Sequence, residues 1–443
     1  MAGASGLALF GGSPVRRDPL PLYNMIGERE KQAVMEVLNG GVLSGFAAQP
    51  NRDFFGGRWI EALEADYCAR FVVRHAVAVN SATSGLHAAL AATGIGPGDE
   101  VIVPPYTMSA SATTVLYTGA VPIFADIDDE IFCLDPDAVE ANITPYTKGI
   151  MAVNLFGHPA PLLRLREIAD RHGLFLIEDN AQAPGATVDG RYAGTVGHLG
   201  IFSLNRHKAM QCGEGGVVIC NDDDLALRVR LVRNHGEVLV EAMKIGNIVN
   251  TAGLNYRMTN MEAAVARVQL SRLDEINAPR VRLAKRLREG LSTLAGIKPA
   301  SVKEGSTHVY YFFAMTYDEK ATGIPRKLFA RAVEAEGFTL KAGYVKPIYL
   351  EPLYQRRICF GKDGFPFSAN PRNRQISYSK GICPVCERLQ DHELMWTNII
   401  YPPLTETDMD AFVEACRKVL SRRDELLAGA RTLSRSGGDT LYD

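Results

Sequence analysis

The sequence predicts an α/β protein with a large domain built on a mostly parallel sheet, followed by a smaller α+β domain. Two observations carry this. From about residue 76, short β-branched runs alternate with amphipathic segments, the pattern of strand–helix units around a parallel sheet. After about residue 270 that alternation gives way to one long helical stretch, an alternating strand and a closing amphipathic helix. At 443 residues, 47% of them hydrophobic, the chain can bury one large core and a smaller second one.

Residues 1–24 read as an N-terminal arm, and the large domain is expected over 25–270. Within it HAVAVN precedes TSGLHAALAATG, EVIVPP precedes SASATTVLYTG, and VPIFAD precedes DPDAVEANI. GIMAVNLFG and PLLRLREIADRHG follow, then the strands LFLIED, GIFSLN and GGVVIC. The stretch MEAAVARVQLSRLDEINAPRVRLAKRLREGLSTL has apolar residues at three- and four-residue spacing, and its first half is expected to bridge the domains. HVYYFFAMTYD predicts a strand, PRKLFARAVEAEGF and DMDAFVEACRKVLSRRDEL predict helices, and these make the small domain over 271–428. The tail from 429 to 443 is expected to be disordered.

Composition excludes some partners. A formal net charge of −2 gives no whole-protein field for nucleic acid or an anionic membrane. No stretch reaches the roughly 18 apolar residues a membrane span needs, and the N-terminus lacks a secretory pattern. Eight scattered cysteines are too sparse for a disulfide scaffold, so a reducing cytoplasm is expected.

Four strand ends carry candidate chemistry. LFLIED ends in Glu178 and Asp179, and in parallel sheets ligands sit outside the carboxyl ends of strands, which makes one of the two acids a functional candidate. NSATSGLHAAL is a strand end, a turn with hydroxyls at Ser81, Thr83 and Ser84, and a helix start suited to a phosphate; plain N-capping explains the same residues. PPYTMSASAT places Tyr106 where it could stack on a planar ligand or simply pack in the core. GIFSLNRHK brings Ser203 to the same edge, with Lys208 five residues later. A lysine, a carboxylate, hydroxyls at a helix start and an aromatic are together the parts that hold pyridoxal phosphate. The amine bonds to the cofactor's aldehyde, and the carboxylate keeps the pyridine nitrogen protonated.

The segments NSATSGLHAAL, IEDNAQAPGA, SLNRHKAMQCGEGG and GLNYRMTNMEAAV resemble the DegT/DnrJ/EryC1/StrS sugar aminotransferases, fold type I enzymes with a large, mostly parallel seven-stranded sheet. The spacing S-x4-K-x5-GEGG is specific to that family. The resemblance implies Lys208 as the cofactor-bearing lysine and proton shuttle, and Asp179 as partner of the pyridine nitrogen. It implies Gln182 at the phenolic oxygen, Tyr106 over the ring, and Thr83, Ser84 and Ser203 at the phosphate. Asn255 would reach that phosphate from the neighbouring subunit of a homodimer with shared active sites. Two departures stand out: Ala82 occupies the middle of a turn usually read Ser-Gly-Thr, and His207 adjoins Lys208, whereas dehydrating relatives carry histidine in the lysine's own place. Spacing from Ser203 selects Lys208, so transamination is favoured.

Other motifs weigh less. CPVC at 383–386 has no second pair at metal-ligand spacing, so two packed thiols are expected, not a metal site. GEGG reads as a turn, since no GK[ST] follows it. The stretch 340–380 holds eight Lys and Arg against two acids, interleaved with tyrosines; it is expected to overlie the cleft and bind substrate anions, or else to be a solvated loop. The implied function is transfer of an amino group from glutamate or glutamine to a keto-sugar or keto-cyclitol, in amino-sugar, aminoglycoside or surface-polysaccharide biosynthesis. A dehydratase or aromatising synthase acting on a cyclic amino-ketone, and a non-catalytic regulatory protein, are the alternatives.

Overall fold

The computed structural model describes residues 6–435. The strands of its main sheet are β1 (His75–Val79), β2 (Glu100–Val103), β3 (Val121–Phe124), β4 (Thr147–Val153), β5 (Phe175–Asp179), β6 (Leu199–Ser203) and β7 (Gly216–Cys220), in the order β1-β7-β6-β5-β4-β2-β3. Only β7 runs against its neighbours. β2, β6 and β7 are buried at every position, which is why they read as continuous apolar runs.

Helices α1 (Glu28–Gly40), α2 (Gly57–Phe71), α3 (Ala82–Ala92), α4 (Ala110–Tyr117), α5 (Pro136–Ala141), α6 (Leu162–His172), α7 (Asp223–Arg233), α8 (Asn260–Ser271) and α9 (Leu273–Leu291) complete this half of the chain and lead into the next. The pleat sorts the two faces of the sheet. Ala76 and Ala78 of β1 pack with Ile60, Leu63 and Tyr67 of α2, whereas Val77 and Val79 pack with Leu86 of α3 and Val229 of α7. The chain therefore returns α3, α4 and α7 to one side of the strand ends, and their starts crowd the carboxyl edge.

A second sheet, β8 (Ile297–Pro299), β9 (Phe313–Tyr317), β10 (Lys341–Ala342) and β11 (Leu394–Thr397), is antiparallel throughout in the order β8-β9-β11-β10. Met315, Phe329, Phe412 and Val419 form its core, separate from that of the large sheet. The long helical stretch divides at Arg272, whose φ of −104° and ψ of 8° leave the helical region. The bridge is α9 and not the first half of that stretch: Leu273 and Ile276 belong to the large-sheet core, Leu283 and Leu287 to the second core.

At the termini, the arm is retained and one expectation, that for the tail, changes. The arm is anchored, because Glu336, itself buried, accepts the N–H groups of Ala8 and Val15, both at 3.0 Å, and Leu7 enters the second core. The last helix runs over Arg423–Arg435, so residues 429–435 are helical where a disordered tail was expected; Leu426 and Ala430, four apart, pack into the second core and extend it. The rest of that tail, 436–443, lies outside the described residues. Among the described residues, no helix is long and apolar enough to cross a membrane.

The stretch 340–380 is also placed differently from expectation. It packs along β3: the Tyr378 hydroxyl donates to Pro122 O at 2.9 Å, Arg372 pairs with buried Glu100 at 2.8 Å, and the rings of Tyr354 and Tyr378 meet Phe124 edge-on. An exposed sheet edge is thereby covered. Cys383 and Cys386 are buried in the same region, and burial pushes both thiols up.

Candidate active site

The carboxyl ends of β5 and β6, the start of α3 and the loop after β2 enclose a cavity of about 360 Å³, roofed by Tyr311 and Tyr344 from beyond α9. Of the two adjacent acids on β5, the pleat sends one each way. Asp179 lines the cavity. Glu178 turns to the other face, where its carboxylate accepts the N–H groups of Gly194, Val196 and Gly197 at 2.5, 2.8 and 2.5 Å.

Burial raises the Asp179 carboxyl above the usual range, opposed by the Ser111 hydroxyl, which donates to it at 2.7 Å, and by Lys208. Its other oxygen accepts the Ala181 N–H at 3.2 Å. Lys208 lies on the same cavity wall, and burial pulls its amine from 10.5 to about 8, with Asp179 acting the other way. The amine also sits 4.6 Å from the centre of the Tyr311 ring, where the face of the ring favours a cation.

The turn after Lys208 depends on glycine. Gly213 and Gly215 have φ of +94° and +154°, and a Cβ on Gly216 would stand 2.6 Å from Ala82 N. GEGG thus lets β7 press directly against the start of α3. That helix is capped by Ser81, whose Oγ accepts Ser84 N–H at 3.0 Å. Ala82 and Thr83 stand in the first turn and line the cavity, where their N–H groups have no partner within the helix. Ala82 sits at the first helical position and does not close the turn.

Lys208, Asp179, Gln182, Ser203 and Thr83 are therefore brought together around one cavity. Two other expectations, for Tyr106 and Ser84, are not met. Tyr106 does not reach the cavity: its ring is fully buried and its hydroxyl donates to Gln390 at 2.6 Å, while the next two residues, Thr107 and Met108, form the wall. The Ser84 hydroxyl is turned to Asn80 Oδ1 at 2.6 Å and to Ser81, so it serves the cap. Asn255 is exposed away from the cavity, its side-chain oxygen accepting from Arg257 at 2.8 Å. None of the eight cations of 340–380 lines the cavity; of that stretch only Tyr344 does, with its hydroxyl 3.5 Å from Gln182 Nε2.

Ser111, Met108 and Tyr311 were not singled out from the sequence. Ser111 carried a faint signal, a hydroxyl one turn into the helix beside the strand bearing Asp179. Tyr311 carried none, because it comes from an element far along the chain, whereas Tyr344 is one of the tyrosines interleaved in the stretch 340–380 expected over the cleft.

The comparisons bear on the family and the fold. A model of the DegT/DnrJ/EryC1/StrS aminotransferase family matches residues 24–386. The L-glutamine:2-deoxy-scyllo-inosose aminotransferase of Streptomyces kanamyceticus is 36% identical over 444 aligned residues, covering 96% of this chain and 99% of that protein. Among solved structures, DesI with its TDP-sugar product superposes with a TM-score of 0.79 at 30% identity, over 96% of this chain and 99% of DesI. 3-Amino-5-hydroxybenzoic acid synthase superposes with a TM-score of 0.76 at 26% identity, over 92% of this chain and 100% of its own. The architecture is that of fold type I. On the family match and on relatives aligned over almost their whole length, this chain belongs to the DegT/DnrJ/EryC1/StrS aminotransferase family.

Proposed function

We propose that the protein is a pyridoxal-phosphate-dependent aminotransferase that moves an amino group from glutamine or glutamate to the ketone of a cyclitol or keto-sugar. The observation that carries this reading is that half-buried Lys208, its amine drawn down to about 8 by desolvation, shares a cavity with the buried carboxylate of Asp179. The residues fit the cofactor. Asp179 receives hydrogen bonds from Ser111 and Ala181, which leaves it acceptor capacity for a pyridine N–H. The Thr83 and Ser203 hydroxyls and the N–H groups at the start of α3 suit a phosphate, and Gln182 suits the phenolic oxygen. Met108, flexible and polarisable, lines the cavity where Tyr106 does not and would be the side chain on that wall to cover the ring.

Bound pyridoxal phosphate supplies an electron sink for the carbon that carries the amino group. Lys208 then moves the proton: its amine, once freed, removes it from the donor's α-carbon, and in the second half returns one to the acceptor carbon. Asp179 holds its charge against the pyridine nitrogen through both halves. Tyr311 and Tyr344 close the cavity against water.

The S. kanamyceticus relative supports glutamine as donor and a cyclitol as acceptor. A homodimer, with Asn255 of the partner subunit reaching the phosphate, is part of the proposal; exposed Ile248, Val249 and Leu254 beside Asn255 would be covered by such a copy. A cytoplasmic setting fits the free cysteines.

The test is a half-reaction. Glutamine or glutamate alone should bleach the cofactor's visible band with one equivalent of keto acid formed, and a keto-cyclitol or keto-sugar should restore it, as ping-pong kinetics require. No bleaching with either donor, or undiminished bleaching in Lys208→Ala, overturns the reading. Similarity to the hydroxybenzoate synthase keeps a dehydrating reaction as the second reading, recognised by water loss and an aromatic product without net amino transfer.

A further inference from the structure

Gln390 stands outside the cavity, in the π-helical turn Leu389–Glu393 that leads into β11. Its side-chain oxygen accepts the Tyr106 hydroxyl at 2.6 Å and the Tyr344 backbone N–H at 2.8 Å. The same N–H lies 3.1 Å from the Tyr106 hydroxyl oxygen. One amide oxygen thus ties the loop after β2 to the residue that carries a phenol into the cavity.

Both sides of this tie are braced. The Arg326 guanidinium donates to the carbonyls of Leu389, Gln390, Asp391 and Leu394 at 3.2, 2.9, 2.9 and 2.8 Å. Four bonds from one buried side chain hold a turn type that is rare and concentrated at functional positions. On the other side, Gly343 has φ of +73°, and a Cβ there would stand 2.8 Å from the Gln390 amide; its carbonyl accepts the Trp396 indole N–H at 2.9 Å. The Tyr344 ring then meets Phe156 and Tyr106 edge-on at 4.9 and 5.8 Å between centres, and its hydroxyl is left beside Gln182 in the cavity.

We propose that Gln390 is a positioning residue for transamination: through the backbone of Tyr344 it holds that phenol over the cavity, as a neutral donor to an oxygen of the bound substrate. The inference rests on the aminotransferase reading. Gln390→Met removes the acceptor, Gln390→Glu keeps it, and Tyr344→Phe removes only the hydroxyl.

Three readouts test it. In the donor half-reaction, Q390M and Y344F each lose about tenfold in kcat/KM, the scale of one ordinary hydrogen bond, while Q390E stays near wild type. The double variant Q390M/Y344F is no slower than Y344F alone, because the two changes remove the same interaction. In the cofactor-free protein, Trp59→Phe leaves Trp396 as the only tryptophan, since the chain has two. Its emission shifts in Q390M and not in Q390E. Losses that add in the double variant overturn the proposal, as does a Q390M enzyme with wild-type kinetics or an unshifted Trp396. Should Q390M fail to fold, Tyr106→Phe removes the hydroxyl bracing Gln390, and its loss must also fail to add to that of Y344F. A wild type that never exchanges an amino group sinks the aminotransferase reading, whereas an active wild type with additive losses sinks only this inference.

Discussion

Replacing Lys208 with methionine keeps an unbranched apolar stem as far as the Cε position and removes the amine. Burial holds that amine at about 8 against an ordinary 10.5. A base whose pKa is lower in the folded state binds fewer protons folded than unfolded between those two values. Stability therefore rises with pH across that window, and below it the protonated amine works against folding. At about 1.4 kcal/mol per unit, the shift amounts to roughly 3 kcal/mol at pH 7. About 2.5 kcal/mol of this is recovered by pH 10. The cofactor-free K208M protein should therefore be more stable than cofactor-free wild type at pH 7, and the gap should close by about that amount on the way to pH 10. Urea denaturation of the two proteins at matched pH measures it, and taking their difference cancels the other titrating groups. A gap that stays flat with pH refutes the claim that burial sets this amine. The depression has a use: an amine titrating near neutral pH can both take and return a proton, so the stability lost and the proton-carrying capacity come from one shift.

Three further outcomes follow from the residues at the same strand ends. Ser111→Ala removes the hydroxyl that opposes the burial shift at Asp179, so the acid limb of the donor half-reaction should move to higher pH, with about a tenfold loss below neutrality; an unmoved limb would show that Ser111 does not tune the carboxylate. Glu178→Gln leaves three N–H groups facing an amide that can accept fewer of them, and urea denaturation should report a loss of about 2–3 kcal/mol. Gly216→Ala drives a Cβ to 2.6 Å from Ala82 N and 2.7 Å from Ser81 C, so the start of α3 must shift. Cofactor affinity should fall along with about 1–3 kcal/mol of stability, and an unchanged dissociation constant would mean that this helix start does not hold the phosphate.

The parts of the site legible in the sequence are those whose placement is local. A strand end, a turn of fixed length and a helix start put Ser203, Lys208 and Thr83 where spacing alone implied, because each follows its strand within a few residues. The failures also have local causes. At Ser84, the cap satisfied the hydroxyl before any ligand could. At Tyr106, the chain leaving β2 turns the ring inward to meet Gln390, a partner 284 residues away that no local pattern announces. At Glu178 and Asp179 the residue types are equivalent and the strand pleat decides; the residue pattern says only that one acid faces the ligand, the family resemblance implies Asp179, and the register turns Asp179 and not Glu178 to the cavity.

The basic stretch 340–380 shows a different limit. Irregular chain packed along a sheet edge has carbonyl groups that no ladder satisfies, and each buried one needs a donor. Arginine, with five N–H groups, supplies several at once. Arg357 donates to the carbonyls of Asn373 and Arg374 at 3.1 and 2.6 Å and also to that of Ile376, and Arg372 reaches the buried carboxylate of Glu100. Lys341 and Lys380 pair with Glu334 and Asp391, acids outside the stretch itself. A window that counts charge along the sequence therefore sees an anion site where the folded chain has a strap over β3. The residue of that stretch which does enter the cavity is the neutral Tyr344. Burial raises its phenol well above the ordinary value, so it stays protonated near neutral pH and can work there as a donor, a property that no count of charges reveals.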